Sequence, residues 1–333
     1  MSDDERELPI KRILYVLGIL AAIVGLAYYY WLYRPQHRPA LGFAYVLSPS
    51  LDVLNTFAPV HTTVDVLESG DRVAILRRGE GWDQVRAPSG AVGWTLSSQL
   101  IEPSVYETGQ RLMERVTGEQ VQAVGHTSGM VNLHIQPSVA APRLAVLAPN
   151  EKVEFFERRL VPRRAPAGSA AGQSGSAPFG VWYLVRSKNH AGWVLGRLIT
   201  LDIPSAIAQY AASYNLVAWF VLATVRDNGR SVPEYLVADR VGTTSVDFNH
   251  IRVFTWWAKK QRYVTAFVES GLEGSFPIRV EQVNGVPYFR LRLRDKNGRK
   301  FQKIYKLDNT IVRPVGTVEG WASGAMPVRL ARR

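Results

Sequence analysis

The sequence predicts a mainly β protein: an N-terminal transmembrane helix, two copies of a small β module, and a C-terminal antiparallel β-meander with a short leading helix. Three observations predict it. Residues Ile13 to Tyr33 run for 21 positions without a charge. A set of residues recurs at an offset of 80, then 100, positions. After Asn215, β-type runs alternate with the turn sequences Asp227-Asn-Gly229, Asn284-Gly285 and Asp295-Lys-Asn-Gly298.

Composition bounds the rest. The chain has 333 residues, enough for two or three domains, with 20% charged and 47% apolar residues, which suits globular folding. It has no cysteine. That excludes a disulfide framework, a Cys-ligated metal site and a Cys nucleophile. A net charge of +12 favours anionic partners.

At ~1.5 Å per residue, Ile13–Tyr33 would span about 31 Å, the thickness of a hydrocarbon core. Tyr28, Tyr29, Tyr30, Trp31 and Tyr33 crowd its far end, as interfacial aromatics do. A cleaved signal peptide, cut after Gly25-Leu-Ala27, is the competing reading. The apolar run continues six residues past Ala27 and favours retention. Arg6, Lys11 and Arg12 precede the helix, and Arg34 and Arg38 follow it. This bias predicts a single-pass membrane protein with its bulk outside the cytoplasm.

The repeat defines the modules. Leu67-Glu-Ser-Gly-Asp-Arg-Val73 matches Leu147-Ala-Pro-Asn-Glu-Lys-Val153, and Trp82-Asp-Gln-Val-Arg86 matches Trp182-Tyr-Leu-Val-Arg186. Gly93-Trp94 then matches Gly192-Trp193. The jump in offset is an insertion at 161–180, rich in Pro, Gly, Ser and Ala, which predicts a flexible loop. Short strands such as Val73–Leu76 and Trp82–Arg86, separated by Gly79-Glu-Gly81 and Ser89-Gly90, predict a small barrel in each copy.

These residues resemble the bacterial SH3-like (SH3 type 3, SH3b) domain. That pattern opens near Leu-Asn-Val-Arg-x-x-Pro and continues with Gly-Trp-x-x-Val and Gly-x-x-Gly-Trp. The second copy has Val131-Asn-Leu-His-Ile-Gln-Pro-Ser138, with His134 in place of Arg and Asn150 in place of Gly. The first copy keeps Gly70, Gly81-Trp82, Val85, Gly90 and Gly93-Trp94, while its opening diverges. The resemblance covers residues 41–103 and 124–202. It implies two small β-barrels that bind peptidoglycan or peptides. Trp94 and Trp193 are expected to fill barrel cores. Trp82, Trp182 and Tyr183 are the candidate ligand-binding residues.

Residues 104–123 form the link, in which Leu112, Met113 and Val116 have helical spacing and predict a helix packed on a barrel. In the C-terminal β domain, 203–316, eight strands are expected, curled into a barrel or sandwich. Tyr288–Arg294 alternates strictly, so Phe289, Leu291 and Leu293 should face inward and Arg290, Arg292 and Arg294 outward. With Lys300 and Lys303 they form a candidate contact for an anionic surface such as a wall polymer, set against a plain solvated sheet face. A basic tail, 317–333, ends the chain.

No nucleophile elbow, P-loop or dinucleotide loop is present. The six His residues lack metal-ligand spacing, so no metal and no cofactor is expected. The reading is a membrane-tethered, non-catalytic binding or scaffolding protein of the cell envelope. Its expected partners are the lipid bilayer and peptidoglycan, an anionic wall polymer or a protein peptide; nucleic acid is disfavoured. The alternatives are a cytoplasm-facing peptide adaptor and an enzyme with its site in the C-terminal domain.

Overall fold

The computed structural model describes the backbone of residues 7–33, 39–162, 179–210, 214–242 and 244–321. The predicted Arg34 and Arg38 flank, the tail beyond Trp321 and most of the 161–180 insertion lie outside the described residues. The chain is mainly β. It divides into two compact units, Met1–Pro103 and Ser104–Arg333.

The first unit begins with helix α1 (Glu7–Tyr33). The transmembrane span expected there is corrected. Among the described residues no helix is long and apolar enough to cross a membrane. The single-pass assignment and the location drawn from it go with that span.

The rest of this unit is the first module: β1 (Gly42–Val46), β2 (Ser50–Leu54), β3 (Thr63–Glu68), β4 (Arg72–Arg78), β5 (Trp82–Arg86), β6 (Val92–Leu96) and β7 (Leu100–Ile101). They form one sheet in the order β3-β2-β6-β5-β4-β1-β7. Val46, Val53, Leu67, Val73, Ile75 and Val85 close on one another as its core. Each comes from an alternating strand, so its neighbours face out. Gly81 and Gly90 take φ of +79° and +93°, which supplies the two predicted turns.

The second unit opens with α2 (Pro103–Val116) and repeats the module: β8 (Ala123–Thr127), β9 (Val131–His134), β10 (Arg143–Leu147), β11 (Lys152–Pro162), β12 (Phe179–Arg186), β13 (Ala191–Leu195) and β14 (Ile199–Leu201). Their order, β10-β9-β13-β12-β11-β8-β14, is that of the first module strand for strand. The match extends to a register break, between Ile75 and Arg77 in β4 and between Phe155 and Glu157 in β11. Leu133, Leu147, Val153 and Val185 are buried as their counterparts Val53, Leu67, Val73 and Val85 are. Asn150 sits at φ +58°, the left-handed position the repeat assigns to Gly70. The β11–β12 ladder runs out to Pro162 and Phe179, so the ends of the expected loop are paired strand.

The C-terminal sheet follows α3 (Ser205–Ala208), a single turn whose Ile207 is fully buried. β15 (Asn215–Asp227), β16 (Arg230–Arg240), β17 (Phe248–Trp257), β18 (Arg262–Val283), β19 (Val286–Arg294), β20 (Lys300–Asp308) and β21 (Ile311–Glu319) form an antiparallel meander in chain order. Seven strands replace the expected eight. Two predicted runs join as the 22-residue β18, which bends where Gly271 takes φ +72° and where Gly274 lies so close to Phe248 that a Cβ would enter its ring. The bend lets all seven strands contribute to one core, including Phe220, Leu236, Phe248, Val253, Phe289 and Tyr305. The turns at Asn228-Gly229 and Asn284-Gly285 have positive φ at both residues, as two-residue hairpins require.

Candidate ligand groove and charged seam

In the second module, β9 and the 135–142 loop leave a groove of about 410 Å³ against β12 and the turn after β13. Trp182, His134, Val139, Leu195 and Arg197 line it. His134 is held by Nδ1 on the Ala141 carbonyl at 2.9 Å, which assigns the proton to Nδ1 and leaves Nε2 an acceptor. Its ring meets Trp182 edge-on, with centroids 5.5 Å apart. Val139 and Met130 are strongly exposed at the rim, and Arg143 and Arg197 are exposed cations there. An adjoining hollow of about 610 Å³ shares Val139, Trp182, Leu195 and Arg197.

The expected aromatic set divides. Trp182 is 3% exposed, and this corrects its reading as a surface residue. Trp193 corrects the opposite expectation. Gly192 faces Leu133 in the core, so the next side chain points outward. Trp182, Leu184, Ala191 and Trp193 therefore share the outer face, and α2 covers it with Leu112, Met113 and Val116. The helix packs on the barrel as its spacing predicts. In the first module Trp82 and Trp94 occupy that face half-buried, and Phe57 meets Trp94 edge-on at 5.0 Å.

Tyr183 points the other way from Trp182, into a seam between the module and the C-terminal sheet. There Arg158, 7% exposed, donates to the Val246 carbonyl at 3.0 Å and to Asp247 at 3.3 Å. Burial pushes the Tyr183 hydroxyl and the Asp247 carboxyl upward, and it lowers Arg240, which also feels Arg158. The seam continues at Gln122, 1% exposed. Its side chain accepts from Ile278 N at 2.8 Å and donates to Ile278 O at 3.1 Å, replacing a strand where the β18 register breaks. Arg279 pairs with Glu119 at 2.6 Å.

The arginine strand is not an open basic face. Phe289, Leu291 and Leu293 do enter the core. Arg290 lies on the opposite face, as the alternation predicts, but it is 5% exposed and bonds Glu281 at 2.9 Å, which corrects its reading as a solvent-facing contact. Arg292 is half-buried at a small cavity of the seam, beside Arg115 and Arg279, and burial followed by Arg279 lowers its pKa. Lys303 bonds Glu269 at 2.6 Å. Arg294 and Lys300 are exposed and flank the Trp321 ring, 5.0 and 4.8 Å from its centroid. The alternation was legible, but the packing that covers half of it is tertiary.

On the C-terminal sheet a hollow of about 370 Å³ contains Asp227, Trp256 and Gln261. The indole Nε1 of Trp256 donates to Asp227 at 2.8 Å, and this bond with that of Gln261 lowers the carboxyl's pKa. The sequence reading missed this tie, and it missed Gln122 and the seam; a lone Gln carries no periodic signal. Among the described residues no three metal-ligating side chains gather.

No protein-family model and no curated protein matches the chain. Three solved structures align with it at 11% identity. NlpC2 from Trichomonas vaginalis covers 86% of this chain and 100% of its own, with a TM-score of 0.18. An NlpC/P60 family protein from Bacillus cereus covers 69% and 94%, at 0.23. NlpC1 from Trichomonas vaginalis covers 85% and 94%, at 0.17. Scores of this size fix neither the fold nor the activity of this chain.

Proposed function

We propose that the chain is a non-catalytic binding protein whose second SH3-like module holds a short extended peptide by its apolar side chain and a carboxylate. The groove against Trp182 carries this reading. Its floor is rigid, because Trp182 is clamped by α2 on one side and by His134 on another. Its rim offers an apolar Val139 and a cationic Arg197. A peptide with a small apolar side chain beside a carboxylate matches both, and His134 Nε2 can accept one peptide N–H. Rigid aromatic floors with a few polar rim groups suit binding more than chemistry.

Stem peptides of peptidoglycan and the C-terminal segments of proteins share this chemistry. Calorimetry on the full chain would use soluble muropeptides in one arm and Ala-rich C-terminal peptides in the other. Saturable binding in either arm, weakened at least tenfold by Arg197→Glu and by Val139→Asp, is expected. No heat up to millimolar ligand in both arms would overturn the reading.

A further inference from the structure

The two modules share strand order, core and register, so any difference in what covers them is informative. In the second module, α2 lies across the outer face of β11, β12 and β13. It buries Leu144, Phe156, Trp182, Leu184, Ala191 and Trp193, all at 4% exposure or less. Gly109 crosses Leu144 so closely that a Cβ there would enter the leucine. At the helix end Arg115 pairs with Glu157.

The counterparts in the first module follow from the matched ladders. Leu144 becomes Val64, Trp182 becomes Trp82, Leu184 becomes Gln84, Ala191 becomes Val92 and Trp193 becomes Trp94. Val64 is 43% exposed, Phe57 beside Trp94 is 57% exposed, and Trp82, Val92 and Trp94 are half-buried. Glu157 becomes Arg77, which is exposed, so the charge facing the helix end is reversed.

We propose that this outer face of the first module is a docking site for an amphipathic α-helix of a partner protein, with an apolar stripe over Trp82 and Trp94 and an acidic side chain against Arg77. The second module shows that a helix of four turns fits this surface. The charge argues against a second copy's α2, because its Arg115 would meet Arg77 instead of a glutamate; like charges at such a rim lower affinity and choose partners. Val64 is smaller than Leu144, so an alanine fits where α2 needs Gly109. The proposal does not depend on the groove of the second module.

The probe is a synthetic α2 peptide, residues 103–117, carrying Arg115→Glu. A lactam between Glu107 and an Arg111→Lys position, both on the solvent side of α2, holds it helical. The native α2 peptide with the same lactam is the comparison, and anisotropy on the full chain is the readout. The Arg115→Glu peptide should bind at least fivefold more tightly than the native one, with the preference inverted in an Arg77→Glu chain. Val64→Asp, at an exposed site and checked by an unchanged Tm, should abolish binding of both. Three results would overturn the proposal: no binding below about 1 mM, binding indifferent to Val64→Asp, or a preference that Arg77→Glu does not invert. A chain dimer that Val64→Asp dissolves and the peptides cannot compete with would also overturn it, in favour of a second copy.

Discussion

Arg252 forks onto the fully buried Asp239, with Nε on Oδ2 at 2.8 Å and Nη2 on Oδ1 at 2.9 Å. The pair joins β17 to β16 on the face opposite the main core. His250 adds a third bond to Oδ2 at 3.1 Å, and Arg252 reaches on to the Tyr210 carbonyl at 2.9 Å. Tyr214 stacks on His250 with the rings 2° from parallel. A bidentate pair of this kind ties Tyr210 to the sheet.

Removing one side of that fork leaves a buried charge alone. Asp239→Ala is expected to cost about 3–5 kcal/mol, seen as a lower midpoint in urea denaturation. The double variant Asp239→Leu with Arg252→Met should lose less than Asp239→Ala alone. Equal or additive losses would show that the two residues do not act as a pair.

The repeat offers a matched comparison of tryptophans. Trp182→Ala opens a cavity under α2 and should destabilise the second unit by about 3–5 kcal/mol. Trp82→Ala, at the matching but half-exposed position, should cost no more than about 1–2 kcal/mol. Thermal unfolding of both variants distinguishes them; similar losses would mean that the first face is as deeply packed as the second.

Gln122 substitutes for a strand, so Gln122→Ala should unpair the N–H and C=O of Ile278. The expected cost is about 1–3 kcal/mol for each orphaned group. Amide exchange at Ile278 should accelerate while exchange in β20 stays slow. Unchanged protection at Ile278 would remove Gln122 from the seam.

Glu234 is 2% exposed, and burial raises its carboxyl pKa although Trp256 N donates to it at 3.2 Å. The folded state therefore binds a proton more readily than the unfolded chain. Its penalty is absent below the ordinary carboxylate pKa and appears as pH rises through the raised folded value. Glu234→Gln keeps the acceptor without the charge. Its Tm should exceed that of the parent at pH 8, with the gap shrinking as the pH falls toward 4. A gap that is constant with pH would assign the effect to packing.

Much of the fold was legible because β patterning and turn chemistry are local. The Asn-Gly turns required positive φ at Asn228 and Asn284 and obtained it. The matched Gly-Trp elements marked two modules, and the structure gives them one strand order. The candidate site was less legible. Trp82 and Trp182 are the same residue at the same register, and no local pattern distinguishes them. What separates them is a helix lying over one and, among the described residues, none over the other.

By itself, then, the sequence determined the β texture, the repeat, the connecting helix and the inward row Phe289, Leu291 and Leu293, since each depends on period or backbone chemistry within a few residues. Tertiary structure decided which outward faces stay wet. Trp182 and Arg290 are polar-tipped side chains on alternating strands, yet each is buried by surfaces outside its own strand: Trp182 lies under α2, and Arg290 is bonded to Glu281 across the β18–β19 hairpin. The N-terminal run suggested a membrane span by its hydropathy, and among the described residues no helix is long and apolar enough to cross a membrane. Burial is a property of pairs of surfaces, and a single strand or helix specifies only one of them.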